Sequence, residues 1–276
     1  MKNRTYLFKF LTLSIEHIFY FIRQKLFAFP FYYIYSNSLA TLARFRSGYS
    51  TTSNRHKMAL ELIPVIEIGY NNKDIPTPGK YPFWEYPILW DKYNAESHKK
   101  AGFKDDLTPY LAGSSFYRLS EITDSNLTKL VIDHTHEMRA GTYDRDQASA
   151  FFGGYVLRID QQDKYFPQCC SDLSDIHYWE KLTNRKDGFY AGHPQPKVKV
   201  DTNIITLDFT VEEFDEHFAP TPKDVLVSFE ISSLKSAIEI VKQELENFEV
   251  RLEKINRDNN LNIERICELL IWNDED

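Results

Sequence analysis

The sequence predicts an α+β fold, in which a small and mostly antiparallel sheet packs against a long C-terminal helix and a short final helix. The side chains of residues 59–70 alternate in hydrophobic character, in the pattern of a β-strand. Residues 155–166 contain two strand-like runs joined by a polar turn, which is typical of a β-hairpin. Residues 234–255 repeat apolar side chains every three or four positions, which predicts a helix with one buried face.

The individual elements follow from local patterns. Pro64 favours an edge position for the first strand, because proline has no amide hydrogen to donate to a neighbouring strand. Four prolines between Asp74 and Ile88 predict a loop. The remaining predictions are a helix over 125–140 capped by Asp124 or Ser125, a hairpin of 155–159 and 164–166 joined through 160–163, a short helix over 173–182, strands at 197–200, 203–210 and 225–231, and helices over 234–255 and 261–272.

Composition and charge narrow the class of protein. The 276 residues are 42% hydrophobic and 15% aromatic, which is ample for a buried core. The charge is divided unevenly: residues 1–57 have nine Lys and Arg against the single acid Glu16, whereas residues 58–276 have 24 Lys and Arg against 39 Asp and Glu, a net charge of −15. We therefore expect no nucleic-acid partner, and a basic protein is the partner that this charge favours.

The same asymmetry predicts two parts, a basic and aromatic leader over residues 1–57 and a single α+β domain over residues 58–276 that folds without it. Lys2, Lys9, Glu16 and Arg23 lie seven apart, on one stripe of an amphipathic helix, and these charges argue against a spanning helix.

Three interpretations of the leader stay open. Residues 1–57 precede a natural start at Met58 and are a start-site artefact, or they contain an interfacial helix, or they are an organelle transit segment. Membrane contact is expected only through residues 1–35.

The cysteines indicate a reducing compartment. Cys169 and Cys170 are adjacent and Cys267 is distant, which does not match the disulfide framework of a secreted protein. We therefore predict a cytoplasmic protein.

Cys170 is the candidate nucleophile. It precedes a predicted helix capped by Ser171 or Asp172, where free amides and the helix dipole would lower the pKa of a thiol. His193 or His177 would then act as the base and Asp172 as the orienting acid. The alternative is that strand alternation places one cysteine in the core and the other on the surface, with no role in chemistry.

The other polar clusters are explained without catalysis. Asp172 and Asp175 suit the first turn of a helix as negative charges. A metal set would have to combine His134, Cys169 or Cys170, and His193, but adjacent cysteines are poor joint ligands and no CxxC or HExxH spacing is present. We expect no metal and no cofactor, with His134 packed in the core and His136 facing solvent. Gly153 and Gly154 precede a strand, which predicts a bulge or a turn in place of a phosphate site.

The segments GGYVLRIDQQDKYFPQCCSDLSDIHYWEKL and YAGHPQPKV resemble a pattern in uncharacterised bacterial proteins, some of them similar to toxin-immunity proteins. The resemblance implies a protein that neutralises a toxin, and it assigns no functional residue. The −15 charge and the absence of a catalytic motif favour a non-catalytic inhibitor of a basic protein. Two hypotheses therefore follow: a cytosolic, non-catalytic binding protein, and a cysteine-dependent hydrolase or transferase that uses Cys170 and His193.

Overall fold

The computed structural model describes residues 59–71, 74–185, 189–190, 192–211 and 216–273. These residues belong to one compact unit. The predictions for the leader, residues 1–57, lie outside the described residues.

The first sheet has four antiparallel strands in the order β2-β1-β3-β4. Its strands are β1 (Leu60–Glu67), β2 (Phe116–Arg118), β3 (Gly153–Ile159) and β4 (Gln162–Tyr165). The predicted hairpin is confirmed, but its turn consists only of Asp160 and Gln161, which both have positive φ (48° and 64°). Two successive positive φ values match the turn that best follows the twist of paired strands.

The predicted edge position of β1 is wrong, because β1 lies between β2 and β3. Glu67 N donates to Phe152 O and Ile68 N donates to Ser115 O, so even-numbered residues of β1 present their backbone to the β2 side. Pro64 is therefore turned towards β2, but β2 ends at Arg118, opposite Val65. The missing donor thus falls where no strand is left to accept a hydrogen bond.

Gly153 begins β3 at a point of close backbone approach. It pairs with Ile66 without a register shift, so the predicted bulge or turn is wrong. A Cβ atom at Gly153 would lie 2.1 Å from Val65 O, and its φ of 135° is unfavourable for other residues.

The second sheet has three antiparallel strands in the order β5-β6-β7. Its strands are β5 (Lys197–Asp201), β6 (Ile204–Asp208) and β7 (Leu226–Glu230), close to their predicted positions. The two sheets and the helices form an α+β fold, as predicted.

Five α-helices complete the described fold: α1 (Pro87–Ala101), α2 (Asp124–His134), α3 (His136–Arg139), α4 (Ile176–Thr183) and α5 (Ile231–Asp258). Helix α1 was not predicted. It starts with Pro87 in the first turn, where a missing amide hydrogen costs nothing, and its buried positions include the polar residues Ser97 and His98, which obscure the apolar pattern.

The helix predicted over 125–140 is interrupted. Thr135 Oγ1 donates to Val131 O (2.7 Å), and the chain leaves helical geometry there before resuming as α3. The cap is Thr123, whose side chain accepts a hydrogen bond from Asn126 N, and not Asp124 or Ser125. Side-chain hydrogen bonding to nearby backbone explains both features.

Helix α5 confirms the long C-terminal helix. Its buried residues follow the predicted apolar stripe from Leu234 to Ile255, and the helix packs against β1, β7 and α4. The final helix is shorter than predicted, because positive φ values at Asn262 and Arg265 delay it. It ends as a π-helical turn, Glu268–Trp272.

Within the described part of the chain, no helix is long and apolar enough to cross a membrane.

Candidate functional site

Two irregular segments meet beside the end of β1. The first connects β4 to α4 and contains Cys169 and Cys170; the second precedes β5 and contains His193. His193 N donates to Cys169 O (2.9 Å), which joins the segments as an isolated antiparallel bridge. A Cβ atom at Gly192 would lie 2.5 Å from Ser171 Oγ and 2.6 Å from Cys169 O, so only glycine permits this approach.

The first segment is anchored by Gln168. Its buried side chain donates from Nε2 to Phe166 O (2.7 Å) and accepts at Oε1 from Ala219 N (2.9 Å). Its backbone N donates to Ser171 Oγ (3.3 Å). These bonds fix the loop immediately before the two cysteines.

The arrangement of Cys169 and Cys170 differs from the one expected for a strand. Both cysteines are exposed, so the expectation that one of them fills the core is wrong. Cys170 has a φ of 70°, which breaks the alternation that would send neighbouring side chains to opposite faces. The two sulfur atoms lie 3.3 Å apart.

This contact changes the acidity of both thiols. The pKa of Cys170 is lowered to about 6, mainly by the hydrogen bond from the Cys169 thiol and additionally by the charge of His193. The pKa of Cys169 is raised well above its ordinary value by the same hydrogen bond and by burial. The two sulfur atoms share one proton after the first ionisation, and the charge of His193 favours Cys170 as the thiolate and Cys169 as the donor.

The helix terminus is not the cause of this shift. The five backbone N–H groups that follow Cys170 all donate to protein acceptors: Ser171 N to Gln168 O, Asp172 N to Asp175 Oδ2, Leu173 N to Phe151 O, Ser174 N to Asp172 Oδ1 and Asp175 N to Asp172 O. The expectation that free amides stabilise the thiolate is therefore wrong in its cause, although the direction of the shift agrees.

Asp172 caps the short 3₁₀ turn Leu173–Asp175 that leads into α4. Its Oδ1 accepts hydrogen bonds from Ser174 N (2.8 Å) and Ser174 Oγ (2.6 Å), which gives Asp172 a structural task apart from orienting a histidine. This agrees with the expectation that it suits a helix N-terminus.

Asp175 lies in the first turn Leu173–Asp175, as expected, but not as a negative charge. Its side chain is buried at 4% exposure, and burial, together with the neighbouring charge of Asp172, raises its pKa to about 8. At neutral pH this carboxyl group is mainly protonated, so the expected negative charge at the helix N-terminus is absent.

Three further residues surround the thiols. The Tyr190 ring packs edge-on against His193 with 5.2 Å between ring centroids, and burial, followed by the charge of Cys170, raises its pKa to about 12. Glu67 and Glu216 face the thiols closely enough for their charges to raise the Cys169 pKa. Ser115 Oγ donates to Glu67 Oε1 (3.0 Å), which holds one carboxylate at the end of β1.

The other histidines have separate roles. His177 lies 3.4 Å from Glu180 Oε2 and packs against Trp272, and His136 is exposed as expected. His134 is half-buried: its Nε2 lies 2.8 Å from Ser149 O, its ring packs against Phe151, and burial lowers its pKa. The predicted backbone hydrogen bond is present, but His134 lies at the edge of the core. The described residues contain no group of three or more His, Cys, Asp or Glu that would hold a metal ion.

Cys170 and His193 are predicted from the sequence as site residues, and the structure places them in one site. The sequence does not predict a place in the site for Glu67 or Tyr190, nor the burial of Asp175. Tyr190 stands three positions before His193 in a segment rich in aromatic and glycine residues, which was a usable signal. Glu67 is more than a hundred positions away from the cysteines, and nothing local marks it.

No family model, curated protein or solved structure matches the chain. The resemblance to toxin-immunity proteins thus stays a prediction.

Proposed function

We propose that the protein is a cysteine-dependent transferase in which Cys170 is the nucleophile. The observation that carries this proposal is the contact of 3.3 Å between the Cys169 and Cys170 sulfur atoms, since it stabilises a thiolate on an exposed side chain. A thiolate, and not a thiol, is the reactive form of cysteine.

Each neighbour of Cys170 has a defined role in this proposal. Cys169 donates its S–H to the Cys170 sulfur and lowers its pKa, and the charge of His193 lowers it further. Tyr190 packs against His193 and limits the positions of its ring. The nucleophile is therefore formed before any substrate arrives.

Transfer is favoured over hydrolysis of an ester or amide. Such hydrolysis passes through an oxyanion, which enzymes stabilise with backbone N–H groups close to the nucleophile. The five N–H groups after Cys170 already donate to protein acceptors. The site is better suited to soft electrophiles, such as a disulfide sulfur or an activated carbon, whose attack by sulfur creates no oxyanion.

The pH dependence of alkylation by iodoacetamide tests this proposal. The rate at Cys170 should rise with a midpoint near pH 6, because its pKa is lowered to about 6. Cys267 is an internal control: burial and the nearby Glu249 and Glu253 raise its pKa to about 12, so it should react slowly throughout. A Cys170 midpoint near the ordinary value of about 8.5 would contradict the proposal.

Variants separate the two causes of the shift. Cys169→Ala should raise the midpoint more than His193→Ala, because the hydrogen bond from Cys169 is the larger contribution. Cys169→Ser keeps a donor and should retain a lowered midpoint. His177→Ala is the matched histidine control, since His177 contacts Glu180 and Trp272, and it should leave the midpoint unchanged.

A second candidate function is binding of a basic protein, as an immunity-type inhibitor would do. A groove along α5 and the final π-helical turn supports it, because Glu249, Glu253 and Glu268 line this groove together with Val250 and Trp272. Lys254 and Arg257 also line it but pair with Asp258, and Glu268 pairs with Arg265, so Glu249 and Glu253 are the carboxylates that would receive a basic partner. Carboxylates beside an aromatic ring suit lysine or arginine side chains.

A fluorescent poly-lysine peptide tests this candidate. Its binding should weaken between 0.1 and 1 M salt, as the Debye length falls from about 10 Å to about 3 Å. Glu249→Gln with Glu253→Gln should weaken it further. Glu96→Gln with Glu121→Gln removes the same charge from exposed sites elsewhere, and equal effects of both pairs would show that the groove is not the binding site. Cys170→Ser should leave this binding intact.

A further inference from the structure

We propose a second activity at this site, the reduction of hydroperoxides, in which Cys170 attacks the peroxide and Cys169 closes a disulfide with it. The proposal rests on Cys170 being the nucleophile of the proposed function. It adds a class of substrate and a role for Cys169 that a transferase does not require.

The geometry already places the second thiol. A cysteine that reacts with a peroxide becomes a sulfenic acid, and a nearby thiol then decides whether it is converted to a disulfide or oxidised further. Cys169 Sγ lies 3.3 Å from Cys170 Sγ, so the second thiol is already beside the sulfur that it attacks. Both side chains are exposed and accessible to a small peroxide.

The steps balance as follows. The Cys170 thiolate attacks one oxygen of the hydroperoxide, the O–O bond breaks, and the products are Cys170 sulfenic acid and an alkoxide, or hydroxide from hydrogen peroxide, which takes up a proton. The Cys169 sulfur then attacks the Cys170 sulfur, the S–O bond breaks, and the hydroxyl leaves as water with the Cys169 proton. Two thiols are oxidised by two electrons, and the peroxide is reduced by two.

The disulfide formed should be easy to reopen. Neighbouring Cα atoms are about 3.8 Å apart, below the range of about 4.4–6.8 Å usual for disulfides, so a bond between adjacent cysteines is strained. Strained and exposed disulfides are reduced more readily than structural ones. An external dithiol reductant would therefore regenerate both thiols and complete a catalytic cycle.

The surrounding charges indicate which peroxides are reduced. Glu67 and Glu216 place two negative charges near the thiols, against the single charge of His193, so the balance repels anions. We expect hydrogen peroxide and neutral organic hydroperoxides to react faster than a peroxide that carries a carboxylate.

The test is the intact mass of the full chain after treatment with one equivalent of hydrogen peroxide, in a Cys267→Ser background that removes the third thiol. The protein should lose two hydrogen atoms in mass and recover its original mass with dithiothreitol. Cys169→Ser in the same background should instead gain one oxygen and react with the sulfenic-acid reagent dimedone. Cys170→Ser should be oxidised at least about tenfold more slowly, because burial and the charges of Glu67 and Glu216 still raise the pKa of the remaining Cys169 thiol.

Two results would overturn the proposal: oxygen adducts in the protein with both cysteines that match those of Cys169→Ser, or disulfides between two copies of the chain. These failures differ from failure of the transferase proposal. If alkylation has its midpoint near pH 6 but no disulfide forms within the chain, only the peroxide activity is wrong. An ordinary alkylation midpoint would refute the activated nucleophile itself.

Discussion

Helix α5 and the loop that contains Cys169 and Cys170 are organised in opposite ways. The helix runs for 28 residues, Ile231–Asp258, and buries a regular stripe of apolar side chains. The loop has a positive φ at Cys170 and is held by hydrogen bonds to Phe166, Ala219 and His193. Periodic packing fixes the helix, and individual polar contacts between distant segments fix the loop.

The stability of this chain and its proposed chemistry therefore depend on different regions and on different kinds of contact. Residues such as Leu245 and Phe248 stabilise the fold because their apolar surface is removed from water. This contribution is not directional, so other apolar neighbours could make it as well. The loop places two sulfur atoms in contact, which requires one specific backbone conformation. The following variants test that division, beginning with the largest expected change in stability.

Leu245→Ala should lower the free energy of unfolding by about 2–5 kcal/mol, because Leu245 is fully buried and its truncation leaves a cavity. Ile240→Ala is the matched control on the same helix: Ile240 is 69% exposed, and its truncation should change stability by less than about 0.5 kcal/mol. Urea unfolding of the two variants measures both values. Equal effects would mean that the apolar stripe does not carry the stability of α5.

This contrast also explains what the sequence predicts well. The stripe from Leu234 to Ile255 has helical spacing, and the hairpin has strand-like runs around a polar turn, so both could be predicted locally. Helix α1 could not, because its buried face includes the polar residues Ser97 and His98, and the His98 ring is buried against Phe103, just after the helix, and the distant Tyr117.

Asp175→Asn should remove a pH-dependent loss of stability. The pKa of Asp175 is raised to about 8 in the fold, against about 3.9 for an unfolded aspartate, so the folded chain holds more protons between these values. Wild-type stability should therefore fall as pH rises from about 4 to about 8, by at most about 1.4 kcal/mol per pH unit and by a few kcal/mol in total. Asparagine does not titrate, and it keeps an acceptor for Asp172 N.

Thermal unfolding of wild type and Asp175→Asn across this range measures the effect as the difference between the two curves. Asp144→Asn is the control, since Asp144 also belongs to a reciprocal cap but is exposed. Parallel curves for wild type and Asp175→Asn would show that Asp175 is ionised in the fold.

Gly192→Ala should destabilise the protein by about 1–3 kcal/mol and raise the alkylation midpoint of Cys170. The added Cβ would meet Ser171 Oγ at 2.5 Å and Cys169 O at 2.6 Å, at a φ of 90°, and relieving this contact displaces His193 from the thiols. Gly141→Ala separates the cost of the positive φ from the cost of the steric contact, because Gly141 has a φ of 73° but an added Cβ would meet nothing within 4 Å. It should cost about 1 kcal/mol and leave alkylation unchanged. Unchanged alkylation in Gly192→Ala would mean that the bridge does not position His193.

The site itself was only partly predictable for a physical reason. The residue types of Cys170 and His193 identify them as candidates, whatever their positions. The cause of the lowered Cys170 pKa depends on the positive φ of Cys170, which brings Cys169 to the same side. The buried state of Asp175 depends on the fold around it. Neither backbone angle nor burial of a single polar residue leaves a periodic trace in a sequence.

Thr123→Ala should give the smallest effect, a loss of about 1 kcal/mol, and it tests the boundary that the sequence placed one or two residues late. Thr123 Oγ1 accepts a hydrogen bond from Asn126 N (3.2 Å) and donates to Asp105 Oδ2 (2.6 Å), so its removal leaves one amide at the start of α2 without its cap. Ser125→Ala changes a predicted cap that lies inside the helix, and alanine favours helical structure, so it should cost less than about 0.5 kcal/mol. Urea unfolding of the two variants decides between the caps. A larger loss in Ser125→Ala than in Thr123→Ala would restore the boundary predicted from the sequence.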